Sequence, residues 1–140
     1  MEFDTLKLKN QLCFPLYSAA REVVKKYHPS LSEIGITSTQ YITLMVLWED
    51  KEITVKALGE KLFLDSGTLT PVLKSLEKKG LVARTRNEAD ERSVIVRLSE
   101  KGEKLKEKAK DVPLKVAGCV GLDGEEAVQL YKLLYKILGK

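Results

Sequence analysis

Gly80 separates two periodicities, and that switch limits the folds open to this chain more than any other feature. Before it, Leu69, Val72, Leu73 and Leu76 recur at the spacing of one helical face. After it, Leu81-Val-Ala-Arg-Thr-Arg86 and Ser93-Val-Ile-Val-Arg-Leu98 alternate as strands do, joined by the loop Asn87–Arg92. Gly80 is the expected C′ residue of the helix. Pro71, tolerated in a first helical turn, predicts that this helix begins between Thr68 and Thr70. Upstream, Thr54 is the expected N-cap of a short helix that turns Val55, Leu58 and Leu62 inward. Short helix, turn at 63–67, helix and hairpin together spell a helix-turn-helix with an appended wing.

The flanks read as helices. Cys13, Leu16, Tyr17, Ala20, Val24 and Tyr27 share one face of a long helix that either kinks at Pro15 or starts near it, and that Pro29 is expected to end. Thr37-Ser-Thr-Gln40 has capping-box spacing and opens the apolar helix Tyr41 to Trp48. Beyond Ser99 the chain is helical and charged, with Pro113 and Gly118 expected to interrupt it, and Asp123-Gly-Glu-Glu126 caps a last helix. That helix is apolar on most of its circumference, from Ala127 to Leu138, so it must be covered on more than one side. A second subunit is the economical cover; a large intramolecular groove is the alternative. The expected fold is therefore mostly α with a small β-hairpin. It forms a single 1–140 domain, with a winged helix-turn-helix over 37–99 and dimerisation helices at 5–30 and 100–140.

With 44% hydrophobic and 31% charged residues the chain has globular composition. No apolar run reaches the roughly 18 residues of a membrane span, and the start MEFDTLKLKNQ has no signal-peptide pattern, so a cytoplasmic protein is expected. Two distant cysteines and one His predict no structural metal site and no cofactor. The net charge of +4 is spread unevenly: residues 56–97 carry 9 basic and 6 acidic side chains. So small an excess fits a mixed, solvated surface as well as an anionic partner.

The pattern decides between them. Burying Leu69, Val72, Leu73 and Leu76 leaves Ser66, Thr68, Thr70, Lys74 and Lys78 outward, small hydroxyls for base edges and lysines for phosphates. The hairpin clusters Arg84, Arg86 and Arg92, suited to a narrow minor groove, and Asp90 is placed to orient the Arg92 guanidinium. Each feature alone also describes an ordinary surface helix or a wet loop.

Asp90-Glu-Arg92 and Leu98-Ser-Glu-Lys-Gly102 resemble the MarR family of winged-helix regulators. Asn10-Gln-Leu-Cys-Phe14, Leu64-Asp-Ser-Gly-Thr-Leu-Thr-Pro71 and Asp90-Glu-Arg-Ser93 resemble, more narrowly, the organic hydroperoxide resistance regulators within it. The resemblance implies a homodimeric repressor that binds a pseudo-palindromic double-stranded operator. Recognition helices enter successive major grooves and wings enter the flanking minor grooves.

It also implies a role for Cys13, which unaided reads as a small buried hydrophobe. In the family the matching cysteine senses organic hydroperoxide, its thiolate held by tyrosines of the partner subunit, one of which matches Tyr27. Tyr17, one turn from Cys13, and Tyr41 are further hydroxyl donors in reach of the same region. The chain departs from the pattern at Ser38, where the family carries a second tyrosine. Cys119 falls near the resolving cysteine of two-cysteine members; otherwise it is a bystander, and a small cellular thiol caps the oxidised Cys13. Rival readings are a repressor released by a small aromatic ligand, a broader thiol-based redox regulator, a thiol peroxidase, and a winged helix used only for protein contacts. The peroxidase lacks an activating base near Cys13, since His28 reads as a surface residue.

Overall fold

Side-chain caps punctuate the chain and set its element boundaries in this computed structural model, which describes residues 4–140. After two 3-10 turns, Asp4–Leu6 and Leu8–Asn10, the helix α1 spans Cys13–Glu33. Thr37 starts α2 (Ser38–Asp50) with a full capping box: its hydroxyl accepts from the Gln40 N–H at 3.2 Å, and the Gln40 Oε1 accepts from the Thr37 N–H at 3.0 Å. Thr54 caps α3 (Val55–Leu62) and Asp65 caps α4 (Ser66–Lys78). Ser99 caps α5 (Glu100–Ala109), α6 runs Val112–Val120, and a capping box between Asp123 and Glu126 opens α7 (Gly124–Leu138).

Two prolines do not act where the sequence suggested. Pro29 lies inside α1, which continues until Gly35 takes a left-handed φ of 76° and the Ile36 N–H closes on the Leu31 carbonyl. Leu31, fully buried, holds that last turn against the core and compensates for the one backbone bond Pro29 cannot make. Likewise α4 begins at Ser66, ahead of the 68–70 expected, and passes through Pro71. The Asp65 cap fixes its start, and the Gly67 carbonyl that Pro71 leaves without a helical partner belongs to an exposed residue. Gly118 does not interrupt its helix; the break comes at Gly121.

The sheet has three antiparallel strands in the order β1-β3-β2, with β1 at Glu52–Thr54, β2 at Val82–Asn87 and β3 at Asp90–Leu98. The hairpin pairs Arg84 with Val96 and Arg86 with Val94, then shifts register before Asn87 meets Asp90, leaving Glu88-Ala89 as the turn. The connection is thus far shorter than the expected loop 87–92, and Asp90 and Arg92 belong to a strand. The additional strand β1 pairs Ile53 with Val96 and ties the wing to the segment before α3.

Leu44, Leu47, Leu58, Leu69, Leu73, Leu76 and Val96 form the centre of the core, with Val112 and Val116 of α6 under α1. Trp48 donates its indole N–H to the Gly102 carbonyl at 2.9 Å, pinning α5 to α2. No residue of α7 is buried: Val128, Tyr131, Leu133 and Ile137 are each more than half exposed, so no groove of its own chain covers the helix. Among the described residues no helix is long and apolar enough to cross a membrane.

Candidate nucleic-acid interface and cysteines

The recognition surface follows from how α4 is buried. Leu69, Leu73 and Leu76 point into the core, which turns Ser66, Thr68, Lys74 and Lys78 to solvent and leaves Thr70 half-buried. Asp65 accepts the Thr68 N–H at 2.7 Å, and these backbone and hydroxyl donors hold its carboxyl below the usual range. Thr70 donates its hydroxyl to the Ser66 carbonyl at 2.7 Å. The far half of α4 is fixed by a polar network: Gln40, buried, donates to the Ser75 hydroxyl at 2.8 Å and accepts from the Lys79 ammonium at 2.9 Å. These contacts anchor α4 to α2.

The arginines of the hairpin divide by partner. Arg84 lies at the base of the wing, where the Glu77 Oε2 accepts from both its backbone N–H and its Nε at 3.2 Å. Arg97, not singled out from the sequence, donates to Glu52 at 2.6 Å and to the Thr85 hydroxyl at 3.0 Å. Arg86 and Arg92 are exposed and form no ion pair among the described residues. Asp90 does not hold the Arg92 guanidinium as expected: its Oδ1 accepts the Arg92 backbone N–H at 3.1 Å, a turn-type contact that shapes the strand start and leaves the guanidinium free.

Between α4 and the wing lies a cleft of about 1200 Å³ whose walls include Ser66, Thr70, Arg84 and Arg92. Lys56 of α3 and Lys140 also line it, two cations that periodicity did not single out. The Lys140 ammonium sits over the Phe63 ring, 5.8 Å from its centroid.

The cysteines are both free and exposed. Cys13 is the first residue of α1, and Tyr17 one turn on is 60% exposed beneath the Arg21 guanidinium, 5.4 Å from its ring centroid. Tyr27 lies fourteen residues further along the same helix, roughly 21 Å by helical rise. It cannot touch the Cys13 of its own chain. Tyr27 instead packs on Tyr41, with centroids 5.8 Å apart, and Tyr41 packs on Trp48. Tyr41 is a core residue, 4% exposed, and burial together with Tyr27 pushes its hydroxyl above the ordinary range. Cys119, on the exposed side of α6, donates its thiol to the Lys115 carbonyl at 3.3 Å.

The sequence profile of the transcriptional regulator SarA/Rot family matches residues 25–109. The organic hydroperoxide resistance transcriptional regulator of Bacillus subtilis is 51% identical over 137 residues, covering 98% of this chain and 93% of that protein. The structure of reduced AbfR bound to DNA, a Staphylococcus epidermidis protein, superposes with a TM-score of 0.81 at 34% identity, covering 99% of this chain and 97% of that one. The disulfide form of AbfR superposes less well, at 0.64. A mutant MarR from Escherichia coli complexed with operator DNA gives 0.82 at 28% identity, covering 91% of this chain and 93% of that one. The chain belongs to the MarR family of winged-helix transcriptional regulators, alongside the organic hydroperoxide resistance regulators.

Proposed function

We propose that this chain is a homodimeric repressor that grips double-stranded operator DNA and lets go when Cys13 is oxidised by an organic hydroperoxide. The observation that carries the DNA reading is the pairing of an outward face of small hydroxyls and lysines on α4 with the unpaired Arg86 and Arg92 on the wing. A relative with this architecture has been solved on DNA in its reduced form. Ser66, Thr68 and Thr70 approach base edges, Lys74 and Lys78 take phosphates, and Arg86 and Arg92 enter the minor groove with Asp90 shaping the strand. The dimer rests on α7 and the first half of α1 with the Leu12 that precedes it, where Leu12, Phe14, Tyr17, Tyr131, Leu133 and Ile137 stand exposed in the single chain.

The sensing chemistry is a two-electron oxidation. The Cys13 thiolate attacks the peroxide, an S–O bond forms as the O–O bond breaks, and the alcohol leaves with a proton. The resulting sulfenic acid condenses with the Cys119 thiol of the partner subunit, forming a disulfide and releasing water. Tyr27 of the partner subunit donates to the thiolate, with Tyr17 beside it. Tyr41 acts through Tyr27, whose ring it supports. Disulfide AbfR superposes less well than either the reduced or the overoxidised DNA-bound form, which supports a shape change on disulfide formation in that relative.

The experiment is duplex binding together with non-reducing electrophoresis, before and after an organic hydroperoxide, for wild type, Cys13→Ser and Cys119→Ser. Sensing predicts a peroxide-induced crosslink that needs both cysteines, and DNA release that Cys13→Ser abolishes without loss of basal binding. Release of the Cys13→Ser protein by peroxide would sink the sensor. Crosslink-free release that requires only Cys13 and appears only when a small thiol is added would assign the capping step to that thiol.

A further inference from the structure

We propose that the cleft between α4 and the wing seats the sugar-phosphate strand that separates the two grooves, and that Lys56 and Lys140 are its phosphate anchors. This rests on the duplex-binding reading above. If α4 occupies a major groove and the wing the adjacent minor groove, the strand dividing them has to pass between the two elements. The walls of this cleft belong to both elements.

Its charges sort themselves. Lys56, Arg84, Arg92 and Lys140 line it together with the carboxylates Glu60 and Asp90. Arg84 is held by Glu77, and Asp90 is turned to the Arg92 backbone N–H. Lys56 and Lys140 have no carboxylate within ion-pair distance among the described residues. Lys56 sits in the first turn of α3, the helix that crosses the backbone in a helix-turn-helix complex. Lys140 arrives from the far end of α7, and Phe63 steadies it there. Phe63 is the C-cap of α3 with a left-handed φ of 56°, an unusual conformation for a bulky residue, and its ring lies under the ammonium. Two cations from opposite ends of the fold thus converge on one cleft.

Phosphate contacts are independent of sequence and appear in the salt dependence of binding, so a mixed-sequence duplex of about 30 base pairs, long enough for two half-sites, is a sufficient probe. Fluorescence anisotropy over a range of salt gives the slope of log K against log salt. Lys56→Gln and Lys140→Gln each flatten that slope by about 0.9 per protomer. Lys140→Arg restores it, and Lys136→Gln, one turn back on α7, leaves it as in wild type. An unchanged slope in either glutamine variant, even with weaker binding, overturns the inference for that residue. Equal flattening by Lys136→Gln overturns it as a mere effect of net charge. If wild type itself retains no duplex at low salt, the duplex-binding reading fails.

Discussion

Glu77, near the end of the recognition helix, and Arg84, at the base of the wing, are joined through a single carboxylate oxygen that accepts from both the Arg84 backbone N–H and its side-chain Nε, each at 3.2 Å. The contact ties α4 to the base of the wing, the two elements proposed to reach DNA. Arg84 holds the Glu77 carboxyl below its ordinary range, chiefly by the side-chain hydrogen bond. A carboxylate lowered in the folded state contributes fully above its unfolded pKa, about 4.3, and loses that contribution as pH falls through the lower folded value. Hydrogen exchange should therefore find the Arg84 amide protected at pH 5. Protection is lost only on acidification below the ordinary glutamate range, or at any pH in Glu77→Ala. An Arg84 amide already fast at pH 5 would mean that the wing is not tied.

The same contact separates arginines that look alike in the sequence. Arg92→Ala should weaken duplex binding by about 1–3 kcal/mol, because its guanidinium is free to meet the minor groove. Arg84→Ala should cost less in affinity and more in thermal stability, since its partner is inside the protein. Anisotropy titrations and melting curves on the two variants check this, and the reverse ranking would reassign the wing contacts.

What was legible in the sequence was whatever depends on neighbours along the chain. Thr37, Thr54 and Asp123 announce their helices because an N-cap needs only the next three residues, and the change of period at Gly80 exposes the wing. The apolar circumference of α7 was equally plain. Local rules failed where tertiary packing overrode them. Pro29 and Pro71 are carried inside helices by Leu31 and by the Asp65 cap, and β1, three residues long, becomes a strand only because β3 lies beside it. The cleft escaped for a related reason. Lys56, Phe63 and Lys140 meet only after the chain has folded, and nothing in their local spacing links them.

Of the glycines, Gly102 has the least room for a side chain. A Cβ there would collide with the Leu81 carbonyl oxygen and come within 2.6 Å of Leu98 Cδ1, while the Gly102 carbonyl accepts the Trp48 indole N–H. Gly102→Ala should destabilise the protein by about 1–3 kcal/mol through overpacking against backbone. Trp48→Phe should cost a similar amount by leaving that carbonyl unpaired. Denaturant unfolding measures both, and a neutral Gly102→Ala would mean that α5 shifts freely against β2.

The axial distance between Cys13 and Tyr27 makes the most direct prediction about sensing. If Tyr27 stabilises the thiolate, it does so across the dimer, because the two lie roughly 21 Å apart along one helix. Cys13→Ser and Tyr27→Phe homodimers should both lose rapid oxidation, the first for want of a thiol and the second for want of a donor. Mixing the two chains by unfolding and refolding yields dimers in which a Tyr27→Phe subunit keeps its Cys13 and faces an intact Tyr27 on its partner. About half of the Cys13 thiols present then sit in such dimers and should react at the wild-type rate, seen as a fast phase in stopped-flow oxidation with an organic hydroperoxide. A donor acting within one chain gives no fast phase, because every remaining Cys13 then shares its chain with Phe at position 27. Rapid oxidation of the Tyr27→Phe homodimer itself would move the thiolate partner from Tyr27 to Tyr17.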